Sequence, residues 1–201
     1  MQQLRRIRWF SLTIGAPFAL LAIALLIAQS TLADDNDMWD LLKRPGHIAL
    51  LRHSNAPGAT PEPYGIDLKN CTIQRNLDDE GRAQARRIGD EFRKHGLSRV
   101  RLVSSQFCRA LETAKLTGLG PVEGLVALNQ VFLTDFSGMQ ETAKKSTAFM
   151  KTIPAKQIAV LVSHVSNIQS IAGVQLSSGE MAVVHLDSSG AVAVDGRIKV
   201  P

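Results

Sequence analysis

The chain has 201 residues, 45% of them apolar and 20% charged, with a formal charge of +5. This length suits one well-buried domain and falls short of two. Arg5, Arg6 and Arg8 precede the first acid, Asp34, and without their three charges the remainder carries +2, which excludes the basic signature of a nucleic-acid partner.

Residues 1–33 read as a targeting segment, with a basic start, an apolar run from about Trp9 to Ala28, and Thr31-Leu32-Ala33 before Asp34. Cleavage after Ala33 leaves a single domain of residues 34–201. The other reading is an uncleaved membrane anchor, because the run approaches 20 residues, although Gly15 and Pro17 interrupt it. Either way the domain is expected outside the cytoplasm, in the periplasm, touching membrane only through a retained amino-terminal segment. Export also allows Cys71 and Cys108 to pair. Two separate buried thiols are an alternative, as is a zinc site shared with His53 and His164, for which no pair has ligand spacing.

Asp37 to Leu42 is expected as a short helix packing Trp39, Leu41 and Leu42 on the body. Pro45-Gly46 opens the apolar run from His47 to Leu51, and Ser54 to Gly58 closes it, the pattern of a buried strand. Arg52 and His53 therefore stand at that strand's carboxyl end. Residues 54–75 form a loop rich in Pro, Gly and Asn, of a length that suits a lid or substrate wall. From Asn76 the period turns helical. Leu77, Gly81, Ala85, Ile88 and Phe92 share one face, Asn76 or Asp78 caps the start, and Gly96 stops it. Arg82, Arg86, Arg87 and Arg93 lie off the apolar face and read as solvated.

A second strand is predicted over Val100 to Ser104 and a helix over Arg109 to Leu116. A short strand near Val122–Val126 and an irregular apolar stretch to Phe136 follow, then a helix over Ser137 to Lys151 ended by Ile153-Pro154. Ile158 to Val162 is a fully apolar strand and Asn167 to Ala172 a short helix. Glu180 to Leu186 and Ala191 to Val194 close the chain as a hairpin. Alternating strands and helices imply a three-layer α/β/α sandwich on a mostly parallel sheet, made mixed by the hairpin.

Three predicted strand ends thus carry Arg52-His53, the turn Ser104 to Arg109, and Ser163-His164. In a parallel sheet these ends share one edge, so two guanidiniums and two imidazoles converge there. Such a set suits a tetrahedral dianion, since Arg offers paired planar donors and keeps its charge.

In order along the chain, Leu51-Arg52-His53, the stretch from Leu77 to Ala85, the stretch from Ser104 to Ala114, and Ser163-His164 resemble the motifs of the histidine phosphatase superfamily, the phosphoglycerate mutase-like fold. The likeness spans about residues 45–198. With the amino-terminal segment and the closing Val194-Asp195-Gly196-Arg197, it extends to the exported branch that includes lipopolysaccharide core heptose phosphate phosphatase. The resemblance implies that His53 is the nucleophile, that Arg52 and Arg109 hold the phosphoryl oxygens, and that His164 donates to an equatorial oxygen. Arg75 is either a third phosphate contact or a structural ion pair. The general acid falls to Asp135, with Glu180 as the alternative. Ser54, Gln106 and Val165 depart from the family's usual Gly, Pro and Gly.

The expected activity is hydrolysis of a phosphomonoester, a phosphorylated sugar or an envelope glycolipid, by chemistry that needs no cofactor or metal. The alternative is an inactive phosphate-binding or envelope interaction module on the same fold. His47, His95 and His185 read as structural.

Overall fold

The computed structural model describes residues 35–58, 62, 65–131 and 135–200. The targeting segment predicted over residues 1–33 lies outside them. Among the described residues no helix is long and apolar enough to cross a membrane.

Six strands form one sheet in the order β3-β2-β4-β1-β5-β6, with β1 at Ile48–Arg52, β2 at Arg101–Ser104, β3 at Val122–Gly124, β4 at Ala159–Ser163, β5 at Glu180–Leu186 and β6 at Val192–Lys199. The first four are mutually parallel where they pair, while β5 runs antiparallel to both β1 and β6. The apolar runs of β1 and β4 are buried on both faces, as expected of central strands covered by helices.

One face packs on α1 (Asp35–Leu42), α2 (Asp79–Lys94) and α3 (Cys108–Thr117), through Trp39, Leu42, Ile88, Phe92, Ala110 and Ala114. The other packs on α4 (Phe136–Met150) and α5 (Val165–Ala172), through Met150, Ile168 and Ile171. This is the predicted α/β/α sandwich.

Of the two capping candidates for α2, Asp78 caps the helix, accepting from Gly81 N at 2.7 Å, while the Asn76 amide donates to Cys71 O at 2.7 Å. At Gly81 the helix meets the loop after β1 so closely that a Cβ would lie 2.0 Å from Asn55 O. No side chain fits there, so glycine sets the distance between α2 and the segment that carries His53.

Two predicted strand ends move by two residues or more. The strand near Val122–Val126 ends at Gly124 and gives way to a 3-10 turn at Val126–Leu128. The last strand, predicted to end at Val194, runs on to Lys199. Its ladder slips between Val183 and Val184, which pair with Gly196 and Val194 and leave Asp195 as the extra residue of a β-bulge. The bulge breaks the period-two alternation on which the shorter reading rested.

Candidate active site

In the β1–β4 register Arg52 stands opposite Ser163, so the next residue of each strand, His53 and His164, leaves the sheet edge side by side. Their rings lie 5.2 Å apart, centroid to centroid, and both are buried. Arg109 enters from the first turn of α3, fully buried, with its guanidinium 4.9 Å from the Phe107 ring. Residues 111 apart in sequence meet here because parallel strands end on one edge.

The hydrogen bonds assign the tautomers. His53 Nδ1 lies 2.8 Å from the Ser54 carbonyl and must donate to it, which leaves the Nε2 lone pair to accept from Arg109 Nε at 3.3 Å. Burial first, and then the Arg109 charge, lower the His53 pKa to about 3. His53 is therefore a neutral imidazole with its free nitrogen toward a guanidinium. His164 accepts from Arg109 Nη2 at Nδ1, 3.3 Å away, and donates from Nε2 to Ser105 Oγ at 2.8 Å. Burial, then the neighbouring His53 and Arg109, hold it well below the usual imidazole range.

Three guanidiniums bear on this pair. Burial lowers Arg109 to about 10, against the opposing pull of Glu62, yet it stays charged at neutral pH. Arg52 donates from Nη1 to Leu176 O at 2.7 Å, and burial followed by the nearby Arg75 lowers its pKa. Arg75 donates from Nη1 to Gly58 O at 3.2 Å and lies 3.8 Å from Glu62 through Nε. Among the described residues, the Nε–H groups of both Arg52 and Arg75 are buried without a hydrogen-bond partner. Each such donor costs about 1–3 kcal/mol while it is unpaired.

Two of the residues that hold this centre were not singled out from the sequence. Glu62, buried, forms an ion pair with Arg109 Nη1 and accepts from the Arg75 backbone N–H at 3.1 Å. Gln130 accepts from Arg109 Nη2 through its side-chain oxygen. A signal for Glu62 existed: it is the only acid between Asp40 and Asp67 and stands between two prolines. Gln130 has no comparable mark. Both residues also line a cleft of about 320 Å³, walled by Gly65 and Ile66 on one side and by Val126, Ala127, Val131 and Asp135 on the other.

Of the two expected acids, Asp135 borders the same cleft and Glu180 does not. Asp135 caps α4, accepting from Gly138 N at 2.9 Å and from Ser137 Oγ at 3.0 Å, and these bonds hold it below the usual carboxylate range. Glu180 accepts from Ser177 N at 2.6 Å and faces Arg197 at 3.8 Å. It lies with Arg52 and Arg197 in a second depression that excludes Glu62 and Gln130.

Cys71 and Cys108 are joined by a disulfide, which rules out both the separate thiols and the zinc site with His53 and His164. It ties the 3-10 turn Cys71–Ile73, four residues before Arg75, to the residue before Arg109. Gln106 exchanges hydrogen bonds with Asn129 at 2.7 and 3.0 Å, and Asn129 also accepts from Ser105 Oγ at 3.3 Å. This bracing supports the turn that carries the His164 partner.

The family model described as histidine phosphatase superfamily (branch 1) matches residues 48–169. Among solved structures the chain is similar to the protein histidine phosphatase SixA complexed with tungstate, at 18% identity and TM-score 0.53, over 76% of this chain and 96% of that one. It is also similar to phosphoserine phosphatase from Entamoeba histolytica, at 15% identity and TM-score 0.57, over 76% and 96% of the two chains. A third likeness is to a mycobacterial glucosyl-3-phosphoglycerate phosphatase, at 14% identity and TM-score 0.55, over 76% and 98%. These likenesses concern the fold. No curated protein matches the sequence.

Proposed function

We propose, for a chain that belongs to the histidine phosphatase superfamily, that it hydrolyses phosphomonoesters through a phosphohistidine on His53. The observation that carries this reading is a neutral, buried imidazole nitrogen beside three guanidiniums, two of which keep a buried Nε–H with no hydrogen-bond partner among the described residues. His53 Nε2 attacks phosphorus, the N–P bond forms and the P–O bond to the alcohol breaks. Water then attacks the same phosphorus, and the N–P electrons return to His53. Arg52, Arg75 and Arg109 hold the oxygens as charge redistributes. His164 turns Nδ1 toward the same space; the bound dianion favours a proton there, and the imidazolium donates to an equatorial oxygen.

The departing alkoxide needs a proton. Glu62 takes that role in this reading, because it borders both Arg109 and the cleft, whereas Asp135 is engaged as a helix cap and Glu180 faces Arg197. A phosphoryl dianion competes with Glu62 for Arg109. Gln130 cannot substitute, since an amide has no proton to give at neutral pH.

Two features support export and an amphiphilic substrate. A disulfide persists in oxidising compartments, in keeping with the expected targeting segment and a periplasmic site. Val126, which lines the cleft, and Phe136, next to Asp135, are 68% and 76% exposed, an apolar lip suited to a phosphorylated sugar carried on a lipid.

The test is hydrolysis of an aryl phosphate by the purified disulfide-bonded protein, beside His53→Ala. Turnover and an acid-labile phosphohistidine in the parent alone are the expected result. A parent that binds phosphate tightly and never becomes phosphorylated makes this a binding module instead.

A further inference from the structure

At the opposite edge of the sheet, about 20 Å from His53 by the length of β1, stands a second cluster of ligating side chains that the phosphoryl chemistry does not use. His47 immediately precedes β1, His185 lies on β5 and Asp195 on β6. The β1–β5 ladder pairs Ile48 with Val184, so one step further in the same register His47 faces His185. Their rings are 5.6 Å apart. Asp195 Oδ2 lies 2.9 Å from His185 Nδ1 and 3.7 Å from His47 Nε2, and the three ligating atoms fall within 4.8 Å of one another.

The β-bulge explains how Asp195 comes to be there. In an unbroken ladder it would pair with Val184 and share that residue's face, which belongs to the core beneath α4 and α5. As the bulged residue it is released from that pairing and reaches the histidines, on the face that holds Met181 and Val183. Bulges re-aim side chains in this way at sites with a use for them.

We infer that His47, His185 and Asp195 bind one divalent transition-metal ion of the zinc class. Two imidazole nitrogens and one carboxylate oxygen suit such an ion, and a tetrahedral shell with bonds near 2.0–2.1 Å sets its ligands about 3.3 Å apart. The separations of 2.9 and 3.7 Å straddle that value. His47 is already oriented: its Nδ1 lies 3.3 Å from the Arg44 carbonyl, so the ring donates there and presents the Nε2 lone pair to the site, as ligating histidines do. On His185 the ion replaces the proton that Nδ1 shares with Asp195, and the ring carries its proton on Nε2. All three side chains are partly exposed, at 16, 37 and 20%, so the ion can enter and water can complete its shell. The bound ion pins the amino end of β1 to the closing hairpin.

The experiment is titration of the untagged, disulfide-bonded protein with zinc by calorimetry in phosphate-free buffer, and with cobalt(II) by visible absorption. The expected result is one site per chain with the absorption of four-coordinate cobalt. Its affinity falls by about 100-fold or more in His185→Gln and Asp195→Asn, since loss even of a partner behind a ligand costs 10–100-fold, and is retained in His53→Ala. A zinc-dependent rise in Tm accompanies binding and disappears in the same two variants. Circular dichroism confirms that they are folded. No binding by the parent, or binding that survives both variants, overturns the assignment.

Discussion

Strand β1 has a histidine at each end, and the two ends have opposite chemistry. At the carboxyl end His53 is buried beside three guanidiniums, its pKa lowered to about 3. At the amino end His47 is partly exposed and faces a second histidine and a carboxylate. Cations around a buried imidazole keep it neutral and aim its lone pair into the site, which makes a nucleophile. An anion and a second imidazole around an accessible one make a ligand set for a cation. The residue type is the same, and the neighbours supplied by other strands decide its use.

The largest expected effect separates the two ends directly. His53→Ala abolishes aryl phosphate turnover while phosphate binding by calorimetry persists, and His47→Ala leaves turnover unchanged. Equal losses in the two variants would erase the distinction.

Next in size is the buried ion pair at the carboxyl end. Arg109→Met leaves the buried Glu62 with only the more distant Arg75, and urea unfolding should show a loss of about 3–5 kcal/mol. Adding Glu62→Gln to that variant recovers part of the loss, because both charges are then gone. The same Glu62→Gln change tests its place in catalysis. Turnover of an alkyl phosphate, with its poor leaving group, falls about 10²–10⁴-fold, while an aryl phosphate is affected far less. A uniform loss on both substrates would mark Glu62 as a purely structural partner of Arg109.

The disulfide belongs to the carboxyl end alone, since it anchors the loop that supplies Arg75 to the helix that supplies Arg109. The Cys71→Ser, Cys108→Ser variant should lose about 2–4 kcal/mol in urea unfolding and bind phosphate more weakly.

The smallest effect per step is acid sensitivity. His53 and His164 have folded pKa values below their unfolded value of about 6.5, so between those limits the unfolded chain binds more protons than the native one. Their contribution is fully present above about pH 6.5 and is lost as pH falls below it, for His53 down to about 3, at no more than about 1.4 kcal/mol per pH unit for each ring. Urea midpoints measured from neutral to mildly acidic pH check the slope. The His53 ring resonances should stay those of a neutral imidazole at about pH 5, and a titration near 6.5 would contradict the buried, cation-flanked geometry.

Much of this was legible in the chain. The helix face of Gly81, Ala85, Ile88 and Phe92, the apolar runs of β1 and β4, and the convergence of Arg52, His53, Arg109 and His164 follow from periodicity and from the rule that parallel strands end together. These are local patterns plus one topological consequence. Glu62 and Gln130 were harder, because a residue in a long loop has no period to reveal its direction. Asp195 was hidden for a different reason: alternation assigns it a face, and the bulge reverses that assignment.

The sequence by itself thus determined the sandwich, the strand ends and the arginine-histidine set, since burial patterns and short apolar runs encode elements without reference to distant partners. Only the tertiary structure decided which carboxylate meets Arg109, whether Cys71 and Cys108 pair, and that the ligating atoms of His47, His185 and Asp195 stand within 4.8 Å of one another. Those are distances between segments far apart in the chain, set by strand register, by a bulge and by the close approach of α2 at Gly81, none of which has a local signature in the residues they bring together.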